Sequence, residues 1–531
     1  MTLLDARPRQ VGAPSAGSPG AAARAVGRGR PWLRRAGAAA LTVVLVALLG
    51  HGAGRWPGFG DDEGTYVAQA WAVRTQGTLS HYTYWYDHPP FGWLQLSGLQ
   101  ALLGPVVPGA SVSEARLLLV PFATASCLLV AVLARRLGLA RGTAVGAALL
   151  LVLSPLALAS LRGVYLDVIG LPWLLLAFVL ALTPGKRLWA HAGAGLAFAA
   201  AVLSKETFLL ALPGLLLAAR QGSTARTRAF CTAGLLSVLA LVVLAYPLLA
   251  VLKGELLPSR DTVSLWDAVV FQLVGRQGTG SALDPTTASA ALVGSWLAQD
   301  PWLLGAGVLL APAAAVSRRL RVPAVTLLVL VVAGLRPGYL PQPYVVALLP
   351  FAALVIAGSA EHLVRVARTS WPAALVAGGV AAAAAVVVAP SWAAGLREAH
   401  TVDTTATQRQ ALAAVVRDVS RSDRVLIDDT YYVDLVEAGF QPRYGAVWFY
   451  KMDLEAGLDP SVVRRLPRGW RDLDWVVSSP VLRSALELQD QGDLQQVRLA
   501  LENSQVVQTF GEGEQRVELR RVQADDLPTS P

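Results

Sequence analysis

The chain is expected to fold as a polytopic α-helical membrane protein with a C-terminal α/β domain, and three observations carry that expectation. Apolar residues fill 54% of its 531 positions and charged residues only 15%, unlike a soluble domain of that length. Apolar runs long enough to cross a bilayer recur along most of the sequence. From about residue 395 the pattern changes to polar helical segments alternating with short β-type runs.

In chain order, residues 1–35 are rich in Ala, Gly, Pro and Arg, lack apolar periodicity, and read as a disordered basic cytoplasmic tail. Arg34 and Arg35 precede a first apolar helix at about 36–52. No small-residue cleavage site follows it, which favours an uncleaved anchor over a signal peptide. Residues 53–112 then lie outside the cell. Further spans are expected at about 113–134, 143–160, 168–183, 189–203, 207–219, 230–251, 302–316, 322–335, 344–358 and 371–390. A long outer loop before 302 holds the amphipathic run Leu265–Val274. Arg135, Arg136, Arg141, Lys186, Arg187, Arg220, Arg226, Arg228, Arg318, Arg319, Arg321 and Arg368 then all fall on one side. That positive-inside agreement sets eleven crossings of the plasma membrane, with the N-terminus cytoplasmic and the C-terminus outside. It also accounts for the net charge of +9, which is therefore not a nucleic-acid footprint. Residues 36–392 form the membrane domain and 393–531 a soluble extracytoplasmic domain. Cys127 and Cys231 both fall in spans, so no disulfide framework is implied.

In the soluble domain, strands are expected at Val425–Ile427, Trp475–Val477, Val506–Gln508 and Val517–Leu519. It contains no phosphate loop, metal-ligand spacing or nucleophile motif. Asp428 and Asp429 close the first strand and are candidates for a functional role, although strand ends also collect polar residues without further purpose.

The unusual chemistry lies in the first outer loop, DDEGTYVAQAWAVRTQG (61–77) followed by TLSHYTYWYDHPPFGWLQLSGLQALLG (78–104). It packs four carboxylates, two histidines and many aromatics between apolar segments. Asp61 is placed to cap a helix, Asp62 and Glu63 fall in its first turn, and Gly77 ends it. Tyr66, Val67, Ala70, Trp71 and Val73 give that helix an apolar stripe, suited to lying on the membrane surface. A second amphipathic helix follows Pro89-Pro90. One cap is worth about 1 kcal/mol and needs a single carboxylate, so three adjacent acids exceed the need. Other loops bring Asp87, His88, Arg162, Asp167, Lys205, Glu206, Arg276 and Arg336 to the same face. Lys205-Glu206 interrupts two short helices, where irregular backbone must line protein or water rather than lipid. His81, His88 and Asp87 are candidates for a divalent metal, though their spacing matches no tight signature.

At these residues the chain resembles the integral-membrane GT-C glycosyltransferases. It is most similar to glycosyltransferase family 39, the dolichyl-phosphate-mannose protein mannosyltransferases, with the related lipid A aminoarabinose transferase. The resemblance rests on DDEGTYVAQAWAV, YDHPPFGWLQLSGLQALLG, RGVYLD (162–167), LSKET (203–207) and LRPGYLPQPYVVALLPFAALVIA (335–357). It implies that Asp62 and Glu63 are the family's Asp-Glu pair and Asp167 the acid of the second outer loop, together the catalytic set. Where the aminoarabinose transferase carries a lysine before the two prolines, an arginine and a metal-binding histidine, this chain has His88, Thr65 and Gln272.

The resemblance also implies a donor sugar on a polyprenyl phosphate and transfer of a hexose or pentose to an acceptor hydroxyl, with inversion. The acceptor is an undefined glycan, lipid or protein. Asp62 would take the hydroxyl proton. Lys205 first, then Arg162, Arg276, Arg336 and His88, would meet the departing phosphate. Asp87 and Glu206 complete the polar lining, and Tyr66, Trp85 and Tyr344 would line the sugar or prenyl path. The alternative is a transporter or flippase of a lipid-linked sugar, since broken helices and intramembrane charges also mark transporters. Against it, the charges gather on one face and no inverted repeat is visible.

Overall fold

The computed structural model describes residues 31–104, 111–183, 188–259, 263–276, 278–453, 460–488 and 494–523. The chain divides into two units, Met1–Val44 and Leu45–Pro531. Of the first, residues 31–44 are helical; the rest of the N-terminal tail and the Lys186-Arg187 loop lie outside the described residues. All later elements belong to the second unit.

Every apolar run expected to span is helical. Among the described residues, Val112–Arg136, Arg228–Leu252, Gln342–Ala367 and Trp371–Asp418 are long and apolar enough to cross a membrane. The expected span at 143–160 is instead a bent pair, Arg141–Leu153 and Pro155–Arg162, meeting at 71°. The cause is local. Pro155 drives Ser154 out of the helical region, to ψ 124°, and opens a new helix at its first position. The Ser154 hydroxyl accepts from the Ala157 N–H and donates to Asp300, which caps Pro301–Val316 through the N–H groups of Trp302 and Leu303. A break also falls at Lys205, extended at φ −152°, between Leu188–Ser204 and a 3₁₀ turn, Glu206–Ala211. No break falls at 392: one helix runs from Trp371 to Thr401. The bundle core is built where Leu166–Ala181 meets Leu188–Ser204 and Val345–Ala367, with Phe178 against Phe351 at 5.2 Å.

The C-terminal domain holds a five-stranded sheet in the order β2-β1-β3-β5-β4. Its strands are β1 (Val425–Ile427), β2 (Ala446–Trp448), β3 (Trp475–Ser478), β4 (Ser504–Phe510) and β5 (Val517–Val522). β1 runs parallel to β2 and β3; β5 is antiparallel to β3 and β4. β2, three apolar residues without alternation, is the strand that periodicity does not single out.

The domain does not stand apart from the bundle. Helix Glu63–Gln76 is fully buried from Glu63 to Ala72, with Phe91–Leu103 on one side and the segment Asp429–Glu437 on the other. The expectation that this helix lies on the membrane surface is therefore corrected. Its polar face is covered by the C-terminal domain, so its weak amphipathicity reports two protein contacts rather than lipid and water. His81 and Tyr82 continue that interface, packing against Tyr432 at 4.5 and 5.6 Å between ring centroids. The Tyr82 hydroxyl donates to the carbonyls of Arg443 and Ala446, next to β2.

Candidate active site

The site starts at the N-terminus of helix Glu63–Gln76. The cap expected from Asp61 comes instead from Asp429, whose carboxylate accepts from the backbone N–H and the hydroxyl of Thr65. Gly64 makes this approach feasible, since a Cβ there would lie 2.2 Å from the Asp429 carbonyl carbon. Asp61 accepts at 3.4 Å from the Tyr450 hydroxyl. Burial pushes its carboxyl up to about 7, and the neighbouring Asp62 and Asp428 carboxylates add to the rise. Burial, then Asp61, also raises Asp429 well above the carboxylate range.

Asp62 is held differently. It occupies the N-cap at φ 73°, a left-handed conformation uncommon for a residue with a Cβ, and makes no cap bond. Among the described residues its carboxylate has no hydrogen bond or ion pair.

Glu63 points into the protein. It takes both Nε and Nη2 of Arg116, at 2.8 and 2.5 Å, the Val164 N–H at 2.8 Å and the Gly60 N–H at 2.9 Å. Both side chains of the pair are at most 1% exposed. A carboxylate with four donors on it is a tether between the acidic loop and two other segments, not an open base. Arg162 is likewise engaged by the protein. Its guanidinium donates to the carbonyls of Leu48, Leu49 and His51, at the end of the first helix, and of Ala399. Those orphan carbonyls attract a cation for the usual helix-end reason.

A second cluster forms around the Lys205 break. The Lys205 ammonium, 3% exposed, stands 2.9 Å from His88 Nε2, and His88 Nδ1 stands 3.0 Å from Glu206. An ammonium can only donate, so this geometry fits a neutral imidazole with its proton on Nδ1. Burial lowers the His88 pKa and Glu206 raises it, with a net upward shift. Two of the three ammonium protons have no partner among the described residues. Asp167 is 1% exposed with Oδ2 unpartnered, and Asp87 accepts from the His88 N–H at 2.8 Å. Tyrosines fix the segment: Tyr84 donates to the His88 carbonyl and Tyr246 to that of Tyr86, which is left-handed at φ 62°.

Tyr66 joins the two clusters. Its ring lies 6.2 Å from that of His88. Burial raises its phenol well above the ordinary value, and the charges of Asp62, Asp87, Asp167 and Glu206 add to the rise. Arg276 lies over the Tyr339 ring at 3.4 Å and donates to Gln272 at 3.1 Å. Burial takes the Tyr339 phenol up to about 12, with Arg276 opposing and the charges of Asp62 and Asp61 contributing. Tyr344 is buried with its hydroxyl on the Leu330 carbonyl, a structural anchor, and Arg336 is exposed. Trp85 packs on Phe271 at 5.6 Å.

The metal expectation finds no support in the donor set. Among the described residues no three His, Cys, Asp or Glu side chains are placed to hold an ion; His81 is packed among aromatics and His88 is engaged with Lys205 and Glu206. Sequence reasoning missed Asp429, Tyr339 and Tyr450. Only Asp429 gave a signal, as one of two adjacent acids closing a strand.

No protein-family model matches the chain, and no curated protein matches it. Solved structures do. ArnT from Cupriavidus metallidurans in the apo state is 16% identical with a TM-score of 0.58, covering 92% of this chain and 98% of its own. The same protein bound to undecaprenyl phosphate gives 16% and 0.57, covering 93% and 99%. The oligosaccharyltransferase AglB from Archaeoglobus fulgidus, in complex with an inhibitory peptide and a dolichol-phosphate, gives 12% and 0.51, covering 94% and 75%. The chain therefore shares its overall fold with these proteins.

Proposed function

We infer from the GT-C fold and from the open carboxylate of Asp62 that this chain transfers a sugar from a polyprenyl-phosphate donor to an acceptor hydroxyl. The neighbouring folds hold undecaprenyl phosphate and dolichol-phosphate, and likeness to them supports the same donor class here, presented on the extracytoplasmic face. The single observation that carries the residue assignment is a contrast. Of the acids around helix Glu63–Gln76, Glu63, Asp61 and Asp429 all have protein partners, while Asp62 has none among the described residues.

The reaction is a displacement at the anomeric carbon. The acceptor oxygen forms the new bond as Asp62 takes its proton, and the bond from the anomeric carbon to the phosphate oxygen breaks with its electron pair going to phosphate. Attack from the face opposite the leaving group inverts the centre. Lys205 supplies two free donors to the departing phosphate, and His88 and Glu206 orient the ammonium. Arg276, stacked on Tyr339, offers a second cation. Asp167 and Asp87 line the sugar side with Tyr66, and Glu63 and Arg162 serve as tethers.

The test is direct. Purified protein is given a labelled polyprenyl-phosphate sugar, and free polyprenyl phosphate is measured with and without acceptor extract. Acceptor-dependent release supports transfer. Movement of intact donor across a vesicle without release would support the transporter reading.

A further inference from the structure

We propose that helix Leu265–Gly275 is a docking surface for lipid, lying along the bilayer surface beside the segment that carries His88. Its six α-helical residues and five-residue π-turn rise about 15 Å in all, against about 30 Å for the apolar core of a bilayer. A helix of that length does not cross.

The start of the helix is fixed at the end of a span. Ser264 and Asp267 close a capping box, the Ser264 hydroxyl accepting from the Asp267 N–H at 2.9 Å. The Leu265 and Trp266 N–H groups donate to the carbonyls of Glu255 and Leu256, just beyond the apolar helix Arg228–Leu252. Tyr86 donates to Glu255 at 2.6 Å, so this end of the span meets the loop of His88. Helix Leu265–Gly275 therefore begins where acyl chains give way to headgroups.

Its two faces differ in kind. Trp266, Val269, Val270, Leu273 and Val274 recur at helical spacing and are all exposed, Leu273 and Val274 by 80% and 82%. Among the described residues no charge falls on that exposed face. The other face is held by protein: Ala268 is buried, Phe271 packs on Trp85, and Gln272 accepts from Arg276.

Continuity with the span identifies what covers the apolar face. Leu244, Leu248, Val251 and Leu252 of Arg228–Leu252 are each more than half exposed, a surface that lipid covers in a bilayer. The helix starts where that surface ends. Trp266 is the residue type that gathers at such a border, with its ring in the apolar layer and its N–H toward the headgroups. With no charge on the face, apolar area drives docking and lipid charge does not. On the transfer reading, Trp85 and Arg276 then stand near the level of the donor phosphate.

The experiment uses the full chain in phosphatidylcholine nanodiscs, spin-labelled at Leu273→Cys; Cys127 and Cys231 are buried. Collisions with oxygen, which concentrates among acyl chains, are compared with those of a water-soluble nickel chelate. Oxygen should dominate at Leu273, and nickel at Glu512→Cys, an exposed control in the C-terminal domain. Adding phosphatidylglycerol should change neither. With the label at Leu273, Trp266→Ser/Val274→Ser should raise nickel collisions several-fold, and Trp266→Leu/Val274→Leu should not. Nickel dominance at Leu273 would put the face in water, and exclusion of both reagents would put a second copy or another protein on it. Either result overturns the proposal, as would a serine variant that matches the wild type or docking that needs phosphatidylglycerol. Neither donor nor acceptor is present, so failure here leaves the transfer reading standing.

Discussion

The carboxylate of Asp429 accepts from both the N–H and the hydroxyl of Thr65, so the helix that presents Asp62 is capped by a residue more than three hundred and sixty positions away. Helix capping is normally a local affair worth about 1 kcal/mol. Here it also clamps one domain to another. Asp429→Asn should be mild, because asparagine caps as well as aspartate. Asp429→Ala should lower stability by about 1–2 kcal/mol and reduce transfer. Gly64→Ala should do more, since its methyl would meet the Asp429 backbone at 2.2 Å. Limited proteolysis of the C-terminal domain reads out its release; protection equal to wild type in Gly64→Ala would contradict the clamp.

Glu63 and Arg116 form a buried pair, and their test separates scaffold from chemistry. Removing one partner leaves an uncompensated buried charge, so Glu63→Ala or Arg116→Leu should cost about 3–5 kcal/mol in unfolding experiments. Replacing both by leucine should recover much of that loss. An open catalytic acid would show the opposite pattern, with normal stability and no turnover.

These two pairs show what is legible in the sequence. The apolar runs, their breaks at Lys205 and Gly77, and the grouping of acids in residues 61–104 follow from periodicity and turn chemistry. Which of three adjacent acids faces inward does not. Asp61, Asp62 and Glu63 look interchangeable as letters, and their roles are set by Tyr450, by the left-handed turn at Asp62 and by Arg116, all tertiary features. Arg162 looks like a phosphate ligand because nothing in the sequence reveals the four carbonyls it serves. Asp429 stays hidden for the same reason, its partner being in another domain.

Asp61 makes stability depend on pH. Its folded-state value of about 7 lies above the ordinary 3.8, so the folded chain holds a proton that the unfolded chain has released. This contribution is complete below the ordinary value and disappears as pH rises through about 7. The wild type should therefore melt lower at pH 8 than at pH 5, and Asp429, shifted the same way, adds to the effect. Asp61→Asn should flatten part of that slope. A slope unchanged by Asp61→Asn would remove the group from the account.

The Lys205, His88 and Glu206 line predicts an acid limb in the rate. Protonating His88 on Nε2 removes the acceptor for the Lys205 ammonium. Because Glu206 raises the imidazole's pKa, Glu206→Gln should move that limb to lower pH. Lys205→Ala should lower kcat by about a hundredfold, with partial recovery in Lys205→Arg. An unshifted limb in Glu206→Gln would mean that His88 does not control the step.

Asp62 carries the central claim, and the most direct measurement is the rate of polyprenyl phosphate release by Asp62→Asn beside Asp61→Asn, at matched folding and membrane insertion. Asparagine keeps the shape and polarity of the side chain but cannot take the acceptor's proton. The account predicts a loss of about a hundredfold or more in Asp62→Asn and a small change in Asp61→Asn. Near-normal release by Asp62→Asn would contradict it.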